Sequence, residues 1–162
     1  MKSSVANSSI GAIVAGLAIA SAHLPQSHGQ HTRPPMEFEV ESKLGFAETV
    51  QAIQDAAVAE KYTVLHVHKM SETLESKGFP REPVTIVEIC NAKAASTALA
   101  NDMRAGLMMP CPVMVYAKGD QVFVMTYDTR IISQFFEGGK SMEEMGETVY
   151  GSLTKILNSV KK

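Results

Sequence analysis

Tryptophan is absent from this sequence, and aromatic residues of all kinds make up only 6% of its 162 residues. Ten methionines are present, so we predict a core filled mainly by aliphatic side chains and adaptable thioethers. A strong charge of either sign is also missing, because 15 basic residues stand against 17 acidic ones. This balance leaves no basic face that would bind nucleic acid.

Long apolar runs are scarce, with one exception near the amino terminus. Residues 10–20 are apolar, follow Lys2, and lead into the small residues Ala20-Ser21-Ala22. That order is typical of a secretory signal peptide, and the run is shorter than the ~20 residues that span a bilayer as a helix. We predict a signal peptide over residues 1–22 and export to the bacterial periplasm or the medium. An uncleaved amino-terminal anchor is the alternative, and it would be the only link to a membrane.

Residues 23–35 contain three prolines, a glycine and three histidines without an apolar period. This composition predicts a flexible polar linker. Residues 36–162 are then long enough for a single domain.

The apolar periods of residues 36–162 predict an α+β fold with the order β-α-β-β-α-β-β followed by carboxy-terminal helices. Because strands and helices do not alternate strictly, and Lys118-Gly119-Asp120 has the composition of a hairpin turn, we expect two layers with a mostly antiparallel sheet. The predicted strands are 37–42, 63–69, 84–90, 111–117 and 121–127. The predicted helices are 46–62, a short turn near 72–77, a helix capped by Asn91 and ending at Gly106, a short helix 130–136, and a final helix opened by a capping box at Ser141.

The two cysteines, Cys90 and Cys111, allow three interpretations that the sequence leaves open. In an oxidising compartment they can form a disulfide, although a helix running straight back along the sheet would put them at opposite ends of neighbouring strands. They can be buried thiols. They can also be a reactive pair, since Cys90 precedes a helix amino terminus that lowers a thiol pKa, while Glu88 on the same strand face opposes that effect.

Three polar residues stand out on the second and third strands. His66 and His68 share one strand face about 7 Å apart, a spacing suited to a transition metal or haem with help from Glu88 or a cysteine. A polar strand face is the alternative. Glu88 is unusual in an apolar strand, and it serves either as a ligand or acid-base group or as an ion-pair partner of Arg104, Lys93 or His68. The methionines Met103, Met108, Met109, Met114 and Met125 lack a metal-binding spacing and are interpreted as core residues.

An ordered set of short motifs resembles a known family. The set comprises Glu88-Ile-Cys90-Asn91, then Ala94 and Leu99, then Pro110-Cys111 with Val115-Tyr116. From about Phe38 to Phe136 the sequence is similar to the family called domain of unknown function 302, although Ala92 replaces the usual proline after the asparagine. The resemblance implies a compact α+β fold similar to the TATA-binding-protein architecture, often found as a dimer, and it implies no activity.

These observations favour an exported, non-enzymatic domain that binds a small ligand, metal or cofactor. The expected site is a cleft between sheet and helix, near His68, Glu88, Cys90 and Cys111. A thiol–disulfide redox protein, with Cys90 as nucleophile and Cys111 as resolving partner, is one alternative. A structural protein that acts as a homodimer is the other.

Overall fold

The computed structural model describes residues 36–162. The predicted signal peptide and linker lie outside the described residues. The strands are β1 (Glu37–Glu41), β2 (Thr63–His68), β3 (Val84–Cys90), β4 (Cys111–Lys118) and β5 (Gln121–Tyr127). The α-helices are α1 (Phe46–Ala59), α2 (Met70–Glu75), α3 (Ala92–Asn101) and α4 (Gly139–Asn158). Two 3-10 helices, Met103–Met108 and Thr129–Gln134, follow α3 and β5.

The five strands form one sheet in the order β1-β5-β4-β3-β2, and every neighbouring pair is antiparallel. The predicted α+β class and element order are confirmed. Alternate residues of β3, β4 and β5 are fully buried on one face of the sheet, against Ile53 of α1 and Leu153 and Ile156 of α4. Burying each such aliphatic side chain stabilises the fold by about 1.5–3 kcal/mol, so this face holds the main core.

The opposite face of the sheet is covered by no helix of the described residues 36–162. Its apolar side chains are only half-buried and belong to neither core cluster. We call this surface the open face; its apolar residues are Val84, Ile86, Met114, Phe123 and Met125. The fold is therefore two layers, one of sheet and one of helix.

The connection from β3 to β4 differs from its prediction in a way that matters for the cysteines. Asn91 caps α3 as predicted, since its side chain accepts a hydrogen bond from the Ala94 amide at 3.1 Å. However, α3 ends at Asn101 rather than Gly106, because Asp102 is extended and its carboxylate caps the following 3-10 helix. The 3-10 helix Met103–Met108 returns the chain to the end of β3, where Cys111 pairs with Ile89. The single straight helix that would have put the cysteines at opposite ends of the strands is therefore not formed.

The start of α4 also differs from its prediction. Gly138 is its N-cap, three residues before the expected capping box, and Ser141 lies inside the helix. Gly138 has a positive φ of 120°, and a Cβ there would lie 2.7 Å from the side chain of Asn101, so the turn requires glycine. Among residues 36–162, none of the helices combines the length and apolar character needed to cross a bilayer.

Candidate functional site

Both cysteines line a small cavity at one end of the sheet, between the strand ends and helices α3 and α4. We call it the sulfur cavity. Its volume is about 30 Å³, room for one or two water-sized groups. It is lined by Tyr62, Cys90, Asn91, Ala94, Ala95, Ala98, Met109, Cys111, Tyr127, Thr129, Ile132, Met145 and Val149.

The sheet register explains how the two cysteines approach this cavity without bonding to each other. Cys90 is the last residue of β3, Cys111 is the first residue of β4, and Cys111 pairs with Ile89. Cys90 is thus offset from Cys111 by one residue, and successive side chains leave a strand in opposite directions. Both cysteines are free thiols in the structure, so the disulfide among the three interpretations is not formed.

The surroundings of the cavity favour neutral groups. Burial raises the pKa of the Cys111 thiol, and the neighbouring Cys90 raises it further. Burial also raises the pKa of Tyr62 to about 12. The Tyr127 hydroxyl donates to the Met108 carbonyl at 2.8 Å and lies 3.7 Å from Cys111 Sγ. At neutral pH Cys111 therefore carries a proton, which makes it a poor attacking nucleophile.

A wider groove between α3 and α4 adjoins the sulfur cavity. Its volume is about 320 Å³, and Tyr62, Asn91, Ala94, Met145 and Val149 line both spaces. The polar groups of the groove come from Lys93, Thr97, Ser141, Glu144, Thr148 and Ser152. The groove therefore supplies a polar approach from solvent to an apolar, sulfur-lined interior.

The other two predicted site residues lie together, but away from this cavity. His68 Nε2 is 3.1 Å from Glu88 Oε1, so His68 is the partner of Glu88 among the three proposed, whereas Arg104 pairs with Asp102. The contact lacks hydrogen-bond alignment and is about one-third exposed, so it adds little stability. Neither residue lines the sulfur cavity. The predicted four-residue pocket is therefore divided between two places.

The position of β3 explains this division. Glu88 faces His66 and Pro112 across the sheet and His68 faces Ile86, which places the pair on the open face. Cys90 is at the strand end, where α3 begins. Residues two apart on one strand thus serve different surfaces, a separation that strand periodicity alone does not reveal.

Comparison with known proteins now identifies the family. The model of the family described as "Domain of unknown function DUF302" matches residues 38–160. The chain belongs to the DUF302 family. The match extends beyond the Phe38–Phe136 resemblance and includes α4, which helps to line the sulfur cavity.

A solved structure supports the DUF302 fold. The crystal structure of an uncharacterized conserved protein DUF302 from Bacillus stearothermophilus is similar to this chain with a TM-score of 0.71. The two share 21% sequence identity, over 78% of this chain and 98% of the other. At this identity the likeness shows the fold alone. No curated protein matches the chain.

The structure gives no support to a metal site at the two histidines and places two methionines beside the cysteines instead. Within residues 36–162, no three His, Cys, Asp or Glu side chains converge as a metal site, so His66 and His68 gain no third ligand of these types. Met109 and Met145, by contrast, line the sulfur cavity beside the two cysteines. Met109 is one of the methionines predicted for the core, and no site prediction included Met145. Met103 is 75% exposed, and Met114 and Met125 lie on the open face outside both core clusters, so the assignment of these three methionines to the core is wrong.

Proposed function

We propose that this DUF302 protein binds one thiophilic metal ion in the sulfur cavity, through the thiolates of Cys90 and Cys111. The observation that carries the proposal is the convergence of two free thiols on one small apolar cavity. Soft sulfur ligands select soft metal ions. A volume of about 30 Å³ suits a single ion, whereas organic cofactors such as haem need several hundred Å³.

Two cysteines that are not bonded to each other are compatible with a bridging ion. A disulfide requires sulfurs about 2 Å apart, while two sulfurs that each bind an ion at about 2.3 Å can be as much as ~4.6 Å apart. Binding would replace the thiol protons, and the amino terminus of α3 beside Cys90 favours negative charge on that sulfur. The strand offset and the unbonded state of both thiols favour a bridging ion over the thiol–disulfide redox alternative.

The test uses the full-length chain with both thiols reduced and Hg²⁺ as the probe. We expect one Hg²⁺ per chain, protection of both thiols from a thiol-specific reagent, and a higher unfolding temperature, since the ion binds the folded state. Cys90→Ser and Cys111→Ser should each remove these effects. Two ions per chain bound independently, or a lowered unfolding temperature, would refute the proposal.

Two alanine-to-valine variants test whether metal binding needs the cavity itself or only the two cysteines. Ala95 lines the sulfur cavity, whereas Ala100 is exposed on the same helix and does not line it. We expect Ala95→Val to weaken Hg²⁺ binding with both thiols intact and Ala100→Val to leave it unchanged. Equal affinities in the two variants would mean that the cavity plays no part.

The proposal includes export, which is supported by the amino-terminal pattern of residues 1–22. Protein recovered from the periplasm or medium should begin at His23 when its amino terminus is sequenced. Recovery of uncleaved chain from the membrane fraction would favour the anchor instead.

We also propose that the open face joins two copies of the chain. The cross-strand partners His68, Ile86, Met114, Met125 and Glu39 form one row from the β2 edge to the β1 edge. The centre of the row is apolar, one edge carries histidines and the other carries glutamates. A two-fold axis parallel to the strands would place β1 of one copy over β2 of the other, so that glutamates face histidines.

Sedimentation analysis tests this second proposal. We expect the wild-type chain to sediment at twice its mass of 17.5 kDa. Met114→Glu, which puts a charge at the centre of the open face, should give the monomer mass. The control Val58→Glu changes an exposed apolar residue of α1 and should leave the dimer intact. A monomeric wild-type protein at high micromolar concentration would exclude the dimer.

A further inference from the structure

We infer that the metal ion is monovalent copper, and that the thioethers of Met109 and Met145 join the two cysteines as its ligands. This inference rests on the proposed metal-binding function and deepens it. The observation behind it is that four sulfur-bearing side chains, two thiols and two thioethers, line the same cavity.

The donor set distinguishes between metals. Thiolate alone binds both Cu(I) and Zn²⁺, but thioether together with thiolate favours Cu(I), because Zn²⁺ sites are ordinarily completed by further cysteines, histidine, carboxylate or water. The lining residues of the sulfur cavity include no histidine, aspartate or glutamate. The nearest imidazole–carboxylate pair, His68 and Glu88, belongs to the open face. The cavity therefore offers soft ligands without the harder ones that compete for other ions.

The four residues reach the lining of the cavity from different elements. Cys90 ends β3, Cys111 begins β4, Met109 lies just before Cys111, and Met145 belongs to α4. Met109 and Met145 are half-buried and pack against the smaller core cluster, so the fold restricts both side chains. An ion bound here would connect the sheet end to α4.

The charge of the bound complex follows from its ligands. Cu(I) replaces one proton on each of two thiols, and both protons pass to the solvent, so the bound complex carries a single negative charge. Thioethers raise the number of ligands without adding charge, which matters because an apolar cavity disfavours net charge. The α3 amino terminus, which follows Cys90 directly, stabilises the charge that remains. No oxidant or reductant is consumed, because copper enters as Cu(I).

The experiment uses the reduced full-length chain in the absence of oxygen. Competition with the chelator bicinchoninate measures its affinity for Cu(I), and X-ray absorption measures the number of sulfur ligands around the copper. We expect one Cu(I) per chain with three or four sulfur ligands. The double variant Met109→Leu/Met145→Leu should bind Cu(I) at least about tenfold more weakly, or roughly 1.4 kcal/mol, because leucine keeps the volume but lacks the sulfur. If the double variant does not fold, the same measurement is made on Met109→Leu and on Met145→Leu separately.

Two controls separate this inference from the proposed function. Met114→Leu removes a methionine of the open face and should leave Cu(I) affinity unchanged. Hg²⁺, bound by two thiolates, should bind the double variant as it binds the wild type. If Hg²⁺ binds one per chain but the methionine variants keep full Cu(I) affinity, or copper shows only two sulfur ligands, the copper inference is overturned and the proposed function stands. If Hg²⁺ also fails to bind one per chain, both are overturned.

Discussion

At the scale of single residues, the sulfur cavity depends on a few hydrogen bonds between the strand ends and the loops that close it. Tyr127, the last residue of β5, donates to the carbonyl of Met108, three residues before Cys111 at the start of β4. Its hydroxyl also touches Cys111. A single side chain thus connects β5 to the segment that places both Met109 and Cys111.

Replacing Tyr127 with phenylalanine should destabilise the protein by about 1 kcal/mol, because the half-buried Met108 carbonyl would lose its partner. Urea unfolding followed by circular dichroism measures the change. The matched control is Tyr116→Phe, since the Tyr116 hydroxyl donates to Glu39 at an exposed site where water can replace it. We expect a smaller loss for Tyr116→Phe, and equal losses would contradict the assigned role of Tyr127.

At the scale of elements, the two 3-10 helices begin in the same way. Asp102 and Asp128 cap their helices, and each also binds the arginine two residues later, Arg104 and Arg130. These arginines hold the pKa of both carboxyls below their usual range. The repeated Asp-x-Arg arrangement explains why two short segments without strong helix signals keep a defined shape.

The pH dependence of stability should report these two pairs. A carboxyl whose pKa is lower in the folded state stabilises the fold above its unfolded pKa of about 3.9, and that stability is lost as the pH falls through the folded pKa. We expect the variant Asp102→Asn/Asp128→Asn to be less stable than wild type near neutral pH and to approach it in acid. Urea unfolding over a pH series measures the difference, with Glu144→Gln, from an exposed surface pair, as control. A constant difference at every pH would contradict this origin.

Helix α4 offers a second prediction at this scale, from two glycines with opposite environments. A Cβ on Gly146 would lie 2.7 Å from the Thr129 carbonyl oxygen, whereas a Cβ on Gly151 would meet nothing within 4 Å. Gly146→Ala should therefore destabilise the protein by about 1–3 kcal/mol through overpacking. Gly151→Ala should stabilise it by up to about 1 kcal/mol, through helix propensity. Thermal unfolding compares the two, and a neutral Gly146→Ala would mean that the helix and the Thr129 segment are not held in close contact.

At the scale of the whole molecule, the two faces of the sheet differ in what they contact. The helices bury one face and enclose the sulfur cavity, while the open face keeps a half-buried apolar surface between a histidine edge and a glutamate edge. The main core is formed by residues between Phe38 and Val160, and the carboxy terminus is tied to β1 by the bond from the Lys162 amide to the Glu41 carbonyl at 2.9 Å. These contacts account for a complete hydrophobic core within the described residues.

We therefore predict that residues 36–162 fold when expressed alone. The unfolding free energy should agree with that of the chain from His23 to within about 0.5 kcal/mol, the range usual for changes away from packed features. Urea unfolding of the two proteins makes the comparison. A loss of well over 1 kcal/mol would show that the core needs residues before Met36, and would contradict the predicted domain boundary.

Much of the fold was predictable because local patterns determine local structure. Alternation of apolar residues located all five strands to within a residue or so, and the side chain of Asn91 marked the start of α3. The short helix after β5 was predicted at 130–136 and is observed at Thr129–Gln134. The 3-10 helix after α3 was harder, because its cap at Asp102 depends on an arginine and a backbone amide that a periodicity argument does not weigh. The start of α4 was also predicted wrongly, because Gly138, which has a positive φ, is the N-cap instead of Ser141.

By itself, the sequence determined the α+β class, the element order and the residues with reactive chemistry, because those follow from neighbours along the chain. The tertiary structure alone decided which of these residues meet. Strand register and the turn after α3 bring Cys90, Cys111, Met109 and Met145 around one cavity, and the alternation of β3 leaves His68 and Glu88 on the open face. Such meetings depend on contacts between residues distant in sequence, and no local period records them.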